Sequence, residues 1–260
     1  MPLPVALTIA GSDPSGGAGI QADLKTFHQF GVYGMSVITL LTVQNTCNVT
    51  RVEHVSPDLV LAQLDAVLDD IPPQAAKTGA LGSREIIEAV AARAAEFPFP
   101  LVVDPVMISK HGAPLLNDEA RSALVKYLLP HALLLTPNLH EAMALARMEY
   151  SGASSIETAA RAIADLGPRA VLIKGGHLED EASDVLFLSG EFHLFTAPRT
   201  DTPHTHGTGC TFSAAITASL AQGDDLLTAI QSAKRFISKA IETNPGLGHG
   251  FGPVNHFAKL

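Results

Sequence analysis

Short, continuous apolar runs alternate with longer amphipathic stretches along this chain, and this alternation limits its fold more than any other feature. The apolar runs are Val5–Ala10, Met35–Val43, Leu101–Asp104, Ala132–Thr136, Ala170–Lys174 and Asp184–Leu188. A strand with one wet face alternates apolar and polar residues. Continuous apolar runs are instead typical of strands in a parallel sheet that is covered on both faces.

Between these runs, apolar residues recur at helical spacing, as at Ile20, Leu24 and Phe27 within Ile20–Phe30. The same spacing predicts further helices over Leu59–Leu68, Ser83–Ala95, Glu119–Leu129, His140–Ala146, Ile156–Leu166, Thr208–Ala221 and Leu226–Thr243. Strand–helix alternation predicts an α/β fold with a doubly wound, mostly parallel central sheet and helices on both faces. We interpret Asp184–Pro198 as a hairpin. Because no linker or internal repeat divides the sequence, we predict one domain over residues 1–260.

Composition excludes several classes of protein. Hydrophobic residues make up 47% of the chain and charged residues 17%, whereas disorder requires low hydrophobicity and high charge. The net charge of −9 argues against binding to nucleic acids and against binding to anionic membranes. Two cysteines provide no disulfide framework, and no apolar run approaches the roughly 20 residues that span a bilayer. No basic region precedes the first apolar run, so we predict a cytoplasmic protein without a signal peptide.

The turn after the first apolar run is rich in glycine, which lets a backbone approach a ligand closely. Within it, Gly17-Ala18-Gly19-Ile20-Gln21-Ala22 matches the dinucleotide-binding pattern. We reject that interpretation, because the loop before Gly17 is too long for a tight strand-to-helix turn. The second strand also ends in Gln44-Asn45, without the acid that would hold a ribose. A plain tight turn remains the alternative.

Polar side chains follow several predicted strands, where ligands bind in sheets of this kind. Gln44 offers donors and an acceptor to the edge of a heterocycle, or caps the strand end. Asp104 requires a partner or a metal such as Mg²⁺, or else caps the next loop. Glu141 forms a capping box with Asn138, or orders the water shell of a metal together with Asp104. Lys174 suits a phosphate tail, or is a solvated lysine before a turn.

The segment His206-Gly207-Thr208-Gly209-Cys210-Thr211 opens a long predicted helix. The glycines and the helix start align N–H groups into an anion-binding turn. Cys210 falls in the first helical turn, where the helix dipole is expected to lower the pKa of its thiol. A thiolate placed there acts as a general base or a nucleophile, whereas an isolated cysteine is usually a small core residue. His204 and His206 lack zinc-ligand spacing, and we favour a structural or phosphate-contacting role for them.

Several of these motifs, in this order along the chain, resemble the ribokinase superfamily and its hydroxymethylpyrimidine/phosphomethylpyrimidine kinase branch. The resemblance runs from Leu7 to about Pro253. It rests on the segments Leu7–Lys25, Val43-Gln44-Asn45-Thr46, Lys77-Thr78-Gly79, Asp104-Pro105-Val106-Met107, Thr136-Pro137-Asn138, Lys174-Gly175-Gly176-His177 and Thr205–Thr211.

The resemblance implies ATP-dependent phosphorylation of 4-amino-5-hydroxymethyl-2-methylpyrimidine, and then of its monophosphate, in thiamine biosynthesis. It also implies a role for each candidate residue. Gln44, Asp23, Gly11 and Val106 would bind the pyrimidine; Gly207, Thr208 and Gly209 would form the anion hole with Cys210 as general base; Lys174, Thr208 and His206 would contact the nucleotide; Asp104 and Glu141 would support Mg²⁺. A homodimer is expected, and activation by a monovalent cation is left open.

Two residues depart from the branch's pattern. Ala80 replaces a common Met, which makes one pocket wall smaller, and His204 replaces a common Asn. Three alternatives stay open: a pyridoxal or pyridoxine kinase, a non-catalytic pyrimidine sensor that kept the fold, and, from the match at Gly17–Ala22, a nicotinamide oxidoreductase. Gln44 and the N-terminal motif weigh against the first, the intact anion-hole turn against the second, and the missing ribose acid against the third.

Overall fold

The computed structural model describes residues 3–108, 112, 115–175 and 181–259. Its strands are β1 (Val5–Ser12), β2 (Tyr33–Gln44), β3 (Val49–His54), β4 (Ala75–Thr78), β5 (Leu101–Val103), β6 (Leu134–Leu135), β7 (Ala170–Gly175), β8 (Glu181–Leu188) and β9 (Glu191–Pro198). Its α-helices are α1 (Gly19–Gln29), α2 (Pro57–Asp70), α3 (Arg84–Ala94), α4 (Asp118–Ala123), α5 (Leu139–Ala146), α6 (Ala153–Ala164), α7 (Thr208–Ala221) and α8 (Leu226–Glu242).

The nine strands form one sheet in the order β3-β2-β1-β4-β5-β6-β7-β8-β9. The six strands from β2 to β7 in this order are parallel, and β3, β8 and β9 pair antiparallel at the two edges. The predicted mostly parallel α/β sheet is confirmed, and so is the hairpin over Asp184–Pro198.

Both faces of the sheet are covered, because successive side chains of each strand point to opposite sides. Leu7 and Ile9 of β1 belong to the apolar cluster shared with α2 to α6, whereas Ala6 belongs to the cluster shared with α1, α7 and α8. Helix α7 is buried along most of its length and packs against α1 and α8. The continuous apolar runs of the sequence are explained by this double burial.

Three local features differ from the sequence-based predictions. Strand β3 has largely exposed, polar residues, and β4 has only four residues, so neither produces a long apolar run. In the predicted helix Glu119–Leu129, the α-helical part ends at Ala123. It continues as a π-helical turn over Leu124–Leu128 and a short 3₁₀ turn at Leu129–His131.

Within the part of the chain that the structure describes, no helix is both long and apolar enough to cross a membrane. That residues 1–260 form a single domain stays a prediction.

Candidate functional site

A large cavity of about 1090 Å³ opens at the carboxyl ends of the parallel strands. Residues at the ends of β1, β2 and β7 and residues that follow β4, β5 and β6 line it, together with the first turn of α7. Every site residue predicted from the sequence lies in its wall except Asp23. These lining residues are Gly11, Gln44, Asp104, Val106, Glu141, Lys174, His206, Gly207, Thr208, Gly209 and Cys210. The cavity therefore brings together residues that are distant in sequence, at the edge of the sheet where they were expected.

The start of α7 leaves no room for a side chain at Gly207 and little room at Gly209. Gly207 precedes the helix with φ of 80°, and a Cβ atom there would lie 1.7 Å from the carbonyl oxygen of Gly17. A Cβ atom on Gly209 would lie 3.2 Å from Nζ of Lys174 and 3.6 Å from the Asp104 carboxylate. The backbone N–H groups of a first helical turn lack partners within the helix. This turn can thus place N–H groups against an anion beside Lys174.

Cys210 lies in that first turn and is partly exposed. Burial of the thiol raises the pKa of Cys210 to about 12, although the Lys77 ammonium and a backbone hydrogen bond from Gly19 both act to lower it. The expectation that the helix dipole lowers this pKa below its ordinary value is therefore wrong for the ligand-free site. The reason is that loss of hydration disfavours the thiolate more than Lys77 and the Gly19 hydrogen bond favour it.

Asp104 follows β5 directly, and its carboxylate is partnered rather than isolated. Lys174 at the end of β7 donates to it over 3.1 Å, and the Ser213 hydroxyl donates over 3.3 Å. Burial alone would lower the pKa of Lys174, but the charges of Asp104 and Glu141 outweigh burial and raise it. Lys174 is thus a charged lysine in the cavity wall, as the phosphate-binding interpretation requires, and its first partner is a carboxylate.

Glu141 fulfils the predicted capping box at the start of α5. Its carboxylate accepts from the N–H of Asn138 over 2.8 Å, while Asn138 accepts from the N–H of Glu141 over 2.9 Å. The other Glu141 oxygen accepts from the N–H of Met107 over 3.3 Å. Burial raises the pKa of Glu141, and the neighbouring charge of Asp104 adds to the rise. Glu141 therefore both caps α5 and lies near Asp104, as the sequence predicted.

Gln44 lies at the other end of the cavity and is oriented by its neighbours. The Thr42 hydroxyl donates to its side-chain oxygen over 3.3 Å, and its side-chain nitrogen lies 3.3 Å from Nε2 of His206. The same His206 nitrogen lies 2.7 Å from the Asp13 carboxylate. Burial would raise the pKa of Asp13, but hydrogen bonds from His206 and Ser15 outweigh it and lower the pKa.

This placement corrects one assignment. His206 was assigned to the nucleotide, but it lies buried between Asp13 and Gln44, in the half of the cavity assigned to the pyrimidine. In the sequence, His206 directly precedes the glycine turn of the predicted anion hole, which suggested contact with the nucleotide. Only the tertiary structure shows that its ring points toward the loop after β1.

Asp23 requires a second correction. It was expected in the pocket wall, but it is completely buried in α1, where Lys77 donates to it over 2.8 Å and Thr8 over 2.6 Å. Lys77 is also completely buried. A buried charge needs a partner of opposite sign, and the sheet provides it. Lys77 belongs to the motif Lys77-Thr78-Gly79, but no role was predicted for it.

The far end of the cavity was not predicted. Lys234 and Ile237 of α8 line it, together with Asp184 of β8. Lys234 donates to the Asp184 carboxylate over 2.6 Å, and the N–H of Gly175 donates to the same carboxylate over 3.0 Å. The sequence offered no signal for α8 at this site, because Lys234 lies in an ordinary amphipathic helix.

The structure also shows where the two residues that depart from the motif pattern lie. Ala80 lines the cavity wall. His204 is absent from that wall; its Nδ1 accepts from the N–H of Gly252 over 3.2 Å, so it tethers the C-terminal segment. Gly176 and His177, which complete the motif after Lys174, lie outside the described residues.

Comparison with known proteins agrees with this geometry. Residues 13–255 match the family model described as phosphomethylpyrimidine kinase. A protein of Synechococcus elongatus named hydroxymethylpyrimidine/phosphomethylpyrimidine kinase is 49% identical, with all of both chains covered.

Two solved structures are similar over most of their length. The pyridoxal kinase of Staphylococcus aureus in complex with AMP-PCP and pyridoxal is 38% identical with a TM-score of 0.91, over 99% of this chain and 95% of that one. The phosphomethylpyrimidine kinase of Clostridium difficile 630 is 44% identical with a TM-score of 0.82, over 92% of this chain and 99% of that one.

Proposed function

Because the chain belongs to the phosphomethylpyrimidine kinase family, we propose that it phosphorylates 4-amino-5-hydroxymethyl-2-methylpyrimidine with ATP. The monophosphate is then phosphorylated in the same site to the diphosphate, as a step of thiamine biosynthesis. A kinase of this family is not a nicotinamide oxidoreductase, so that alternative is dropped.

One observation supports this proposal above the others: a single cavity is lined by an amide that suits a pyrimidine ring, by positive and N–H groups that suit a phosphate, and by Cys210. Gln44 at one end offers an amide that matches the donors and acceptors of an aminopyrimidine. Lys174 and the first turn of α7 offer positive charge and N–H groups at the other. Phosphoryl transfer needs mainly this positioning and charge neutralisation.

In the proposed reaction, the Cys210 thiolate accepts the proton of the substrate's hydroxymethyl group. The oxygen then forms a bond to the γ-phosphorus of ATP, the bond from that phosphorus to the bridging oxygen breaks, and ADP leaves. The N–H groups of Gly209 and Cys210 and the Lys174 ammonium face the charge that develops on the phosphoryl oxygens. No phosphocysteine is required, because the transfer is direct.

Asp104 and Glu141 would hold Mg²⁺. Both are carboxylates, the ligand type that Mg²⁺ prefers, and both are buried in the cavity wall next to Lys174. The described residues contain no group of three or more metal-binding side chains. A cation held by two carboxylates would complete its shell with water and phosphate oxygens, which is typical of Mg²⁺ at kinase sites. Bound there, it would neutralise phosphate charge.

The test is ADP release with Mg-ATP, measured with the hydroxymethylpyrimidine, its monophosphate and pyridoxal in parallel, with products identified by mass. We expect both pyrimidines to be turned over and pyridoxal to be slow. Gln44→Ala should raise KM for the pyrimidine about 5- to 150-fold, since a lost buried hydrogen bond costs about 1–3 kcal/mol, and leave KM for ATP unchanged. Silence on all three compounds would contradict the proposal and favour the pyrimidine sensor.

Pyridoxal kinase activity is the second candidate. It is favoured by the structural similarity to a protein named pyridoxal kinase and by Ala80, which leaves that wall of the cavity small. Turnover of pyridoxal alone in the same assay would move the assignment to this activity. Ala80→Met would then be expected to slow pyridoxal more than the pyrimidine, because it narrows the ring pocket.

We further propose that the enzyme is a cytoplasmic homodimer. The apolar side chains of Leu41 and Val43 are half exposed on β2, near the edge of the sheet, which is an arrangement that a second copy could cover. Light scattering at micromolar concentration should give twice the 27.3 kDa chain mass. A monomer mass would contradict this proposal without affecting the kinase assignment.

A further inference from the structure

A buried ion pair lies beneath the floor of the cavity, apart from the groups that line it. Lys77 of β4 and Asp23 of α1 are both completely buried and 2.8 Å apart, and Thr8 of β1 completes the cluster with its hydrogen bond to Asp23. An ion pair without solvent access is costly to build and gains little stability over apolar residues of similar size. The cluster therefore calls for an explanation beyond folding.

The parallel register of the sheet aims this cluster at α7. Thr8 pairs directly with Lys77 across β1 and β4. Thr8 lies two positions after Ala6, and Lys77 lies two positions after Ala75. Because Ala6 and Ala75 both belong to the apolar cluster around α1 and α7, Thr8 and Lys77 face that same side of the sheet. Helix α7 packs on β1, β4 and α1 on that side. The Lys77 ammonium thus lies under the helix whose first turn carries Cys210.

The ammonium is also close to the cavity itself. Gly79 lines the cavity, and a Cβ atom there would lie 3.8 Å from Nζ of Lys77. Burial alone would lower the pKa of Lys77, but the charges of Asp23, Cys210 and Asp104 together outweigh burial and raise the pKa. Lys77 therefore carries a positive charge at the floor of the site.

The charged groups that face the Cys210 sulfur fall into two opposing sets. Lys77 lowers the pKa of the thiol, whereas Asp23 and Asp104 raise it. Lys174 also interacts with Cys210, from the phosphate end of the cavity. Of these two positive charges, Lys77 lies beneath the site and is paired with Asp23, whereas Lys174 is paired with Asp104.

We propose that Lys77 is a positioning residue that stabilises the Cys210 thiolate, while the negative charge of Asp23 opposes Lys77 and limits its effect on the sulfur. This inference rests on the proposed function for its catalytic meaning, because a thiolate serves there as the base. Its physical content, an electrostatic effect of two buried groups on one thiol, can be measured without any turnover.

The experiment measures alkylation of Cys210 by neutral iodoacetamide at pH 8.5 in ligand-free protein. All variants carry Cys47→Ser, because Cys47 is exposed and would also react. Lys77→Met and Asp23→Asn are similar in size to the original residues and remove one charge each. Below the pKa of about 12, each unit of pKa shift changes the thiolate fraction, and hence the rate, about tenfold. We expect Lys77→Met to slow alkylation about tenfold and Asp23→Asn to accelerate it about tenfold.

A purely structural ion pair predicts a different pattern. Loss of either partner would then loosen the same site and change the rate in the same direction for both variants, which would overturn the proposal. Should Lys77→Met fail to fold, the comparison of Asp23→Asn with the double variant decides. We expect Lys77→Met, added to Asp23→Asn, to abolish the faster alkylation that Asp23→Asn causes. A double variant that is alkylated as fast as Asp23→Asn would also overturn the proposal.

The two proposals fail separately. Wild-type protein that turns over no pyrimidine contradicts the kinase function, but it leaves the opposite effects on alkylation intact. Unchanged alkylation in both variants contradicts the role of Lys77, whatever the kinase assay shows.

Discussion

At the scale of the residue, Cys210 shows two physical effects in opposition. The start of a helix favours a thiolate, but burial among protein atoms removes the water that would solvate it, and burial dominates. A general base must lose its proton before it can accept one. The local charges of Lys77 and Lys174 are therefore as important for this residue as its position in the helix.

We expect Cys210→Ala to lower kcat by 10²–10⁴-fold, the usual cost of losing a general base, while ADP binding and folding are retained. Because the thiolate is the active form and the pKa lies near 12, kcat/KM of the wild type should also rise with pH between about 7 and 9. That rise should be absent from Cys210→Ala and present in Cys47→Ala. Wild-type rates in Cys210→Ala would remove the base from the proposed reaction.

A second residue-scale prediction concerns stability in acid. His256 is buried against the hydroxyl of Thr211, 3.1 Å away, and burial, with the nearby charge of Lys25, lowers its pKa to about 4. The unfolded chain takes up this proton below its pKa of 6.5, and the folded chain does so only near 4. Stability conferred by neutral His256 is therefore complete above pH 6.5 and is lost as the pH falls toward 4.

We expect His256→Gln to reduce the loss of unfolding free energy between pH 7.5 and 5.5 by about 1 kcal/mol. Urea denaturation at both values of pH measures this. His249→Gln is the matched control at an exposed position, and it should leave the difference unchanged. An equal effect of both substitutions would show that burial of His256 is not the cause.

At the scale of the element, the two ends of α7 are closed by glycines for different reasons. Gly207 before the helix and Gly223 after it both have positive φ, 80° and 93°. A Cβ atom on Gly207 would overlap the carbonyl oxygen of Gly17, whereas one on Gly223 would meet nothing within 4 Å. The start of the helix is thus held against the loop after β1, whereas the backbone at Gly223 has open space beside it.

This contrast predicts the outcome of two matched substitutions. Gly223→Ala should cost about 1 kcal/mol of unfolding free energy, from backbone strain alone. Gly207→Ala should cost at least about twice as much, because the loop at Gly17 or the start of α7 must move, and it should lower kcat by 100-fold or more. Urea denaturation and the kinase assay measure both effects. Similar values for the two variants would show that the contact with Gly17 does not shape the site.

At the scale of the whole molecule, the site draws on both halves of the chain and on both faces of the sheet. Gln44 and Asp104 come from the first half, Lys174 and Cys210 from the second, and Lys234 from the last helix. A net charge of −9 disfavours ATP at long range, so its phosphates depend on local positive groups. Assembly of the cavity therefore requires the complete sheet.

We expect residues 1–260 to unfold in one cooperative transition, as one domain should. A nucleotide that binds only the folded state at 100 times its Kd adds about 2.7 kcal/mol, so Mg-ADP should raise Tm without splitting the transition. Differential scanning calorimetry with and without Mg-ADP measures both. Two transitions, of which only one responds to Mg-ADP, would contradict the single-domain prediction.

Much of the architecture and most of the wall of the site follow from the sequence alone. Continuous apolar runs predicted six of the strands, helical spacing predicted the helices, and the polar residues after the runs predicted Gln44, Asp104, Glu141 and Lys174 as cavity residues. These signals are local, because a strand or helix repeats its pattern over a few neighbouring residues. Its carboxyl end is therefore visible in the sequence.

The tertiary structure alone decided which buried polar side chains meet. Asp23 pairs with Lys77 across 54 positions of the chain, and His206 with Asp13 across 193. Short β4 and exposed β3 were equally invisible, since neither makes an apolar run. The physical reason is common to all of them. Strand register and helix packing set distances between residues far apart in sequence, and burial, which controls the Cys210 thiol, exists only once those elements have assembled.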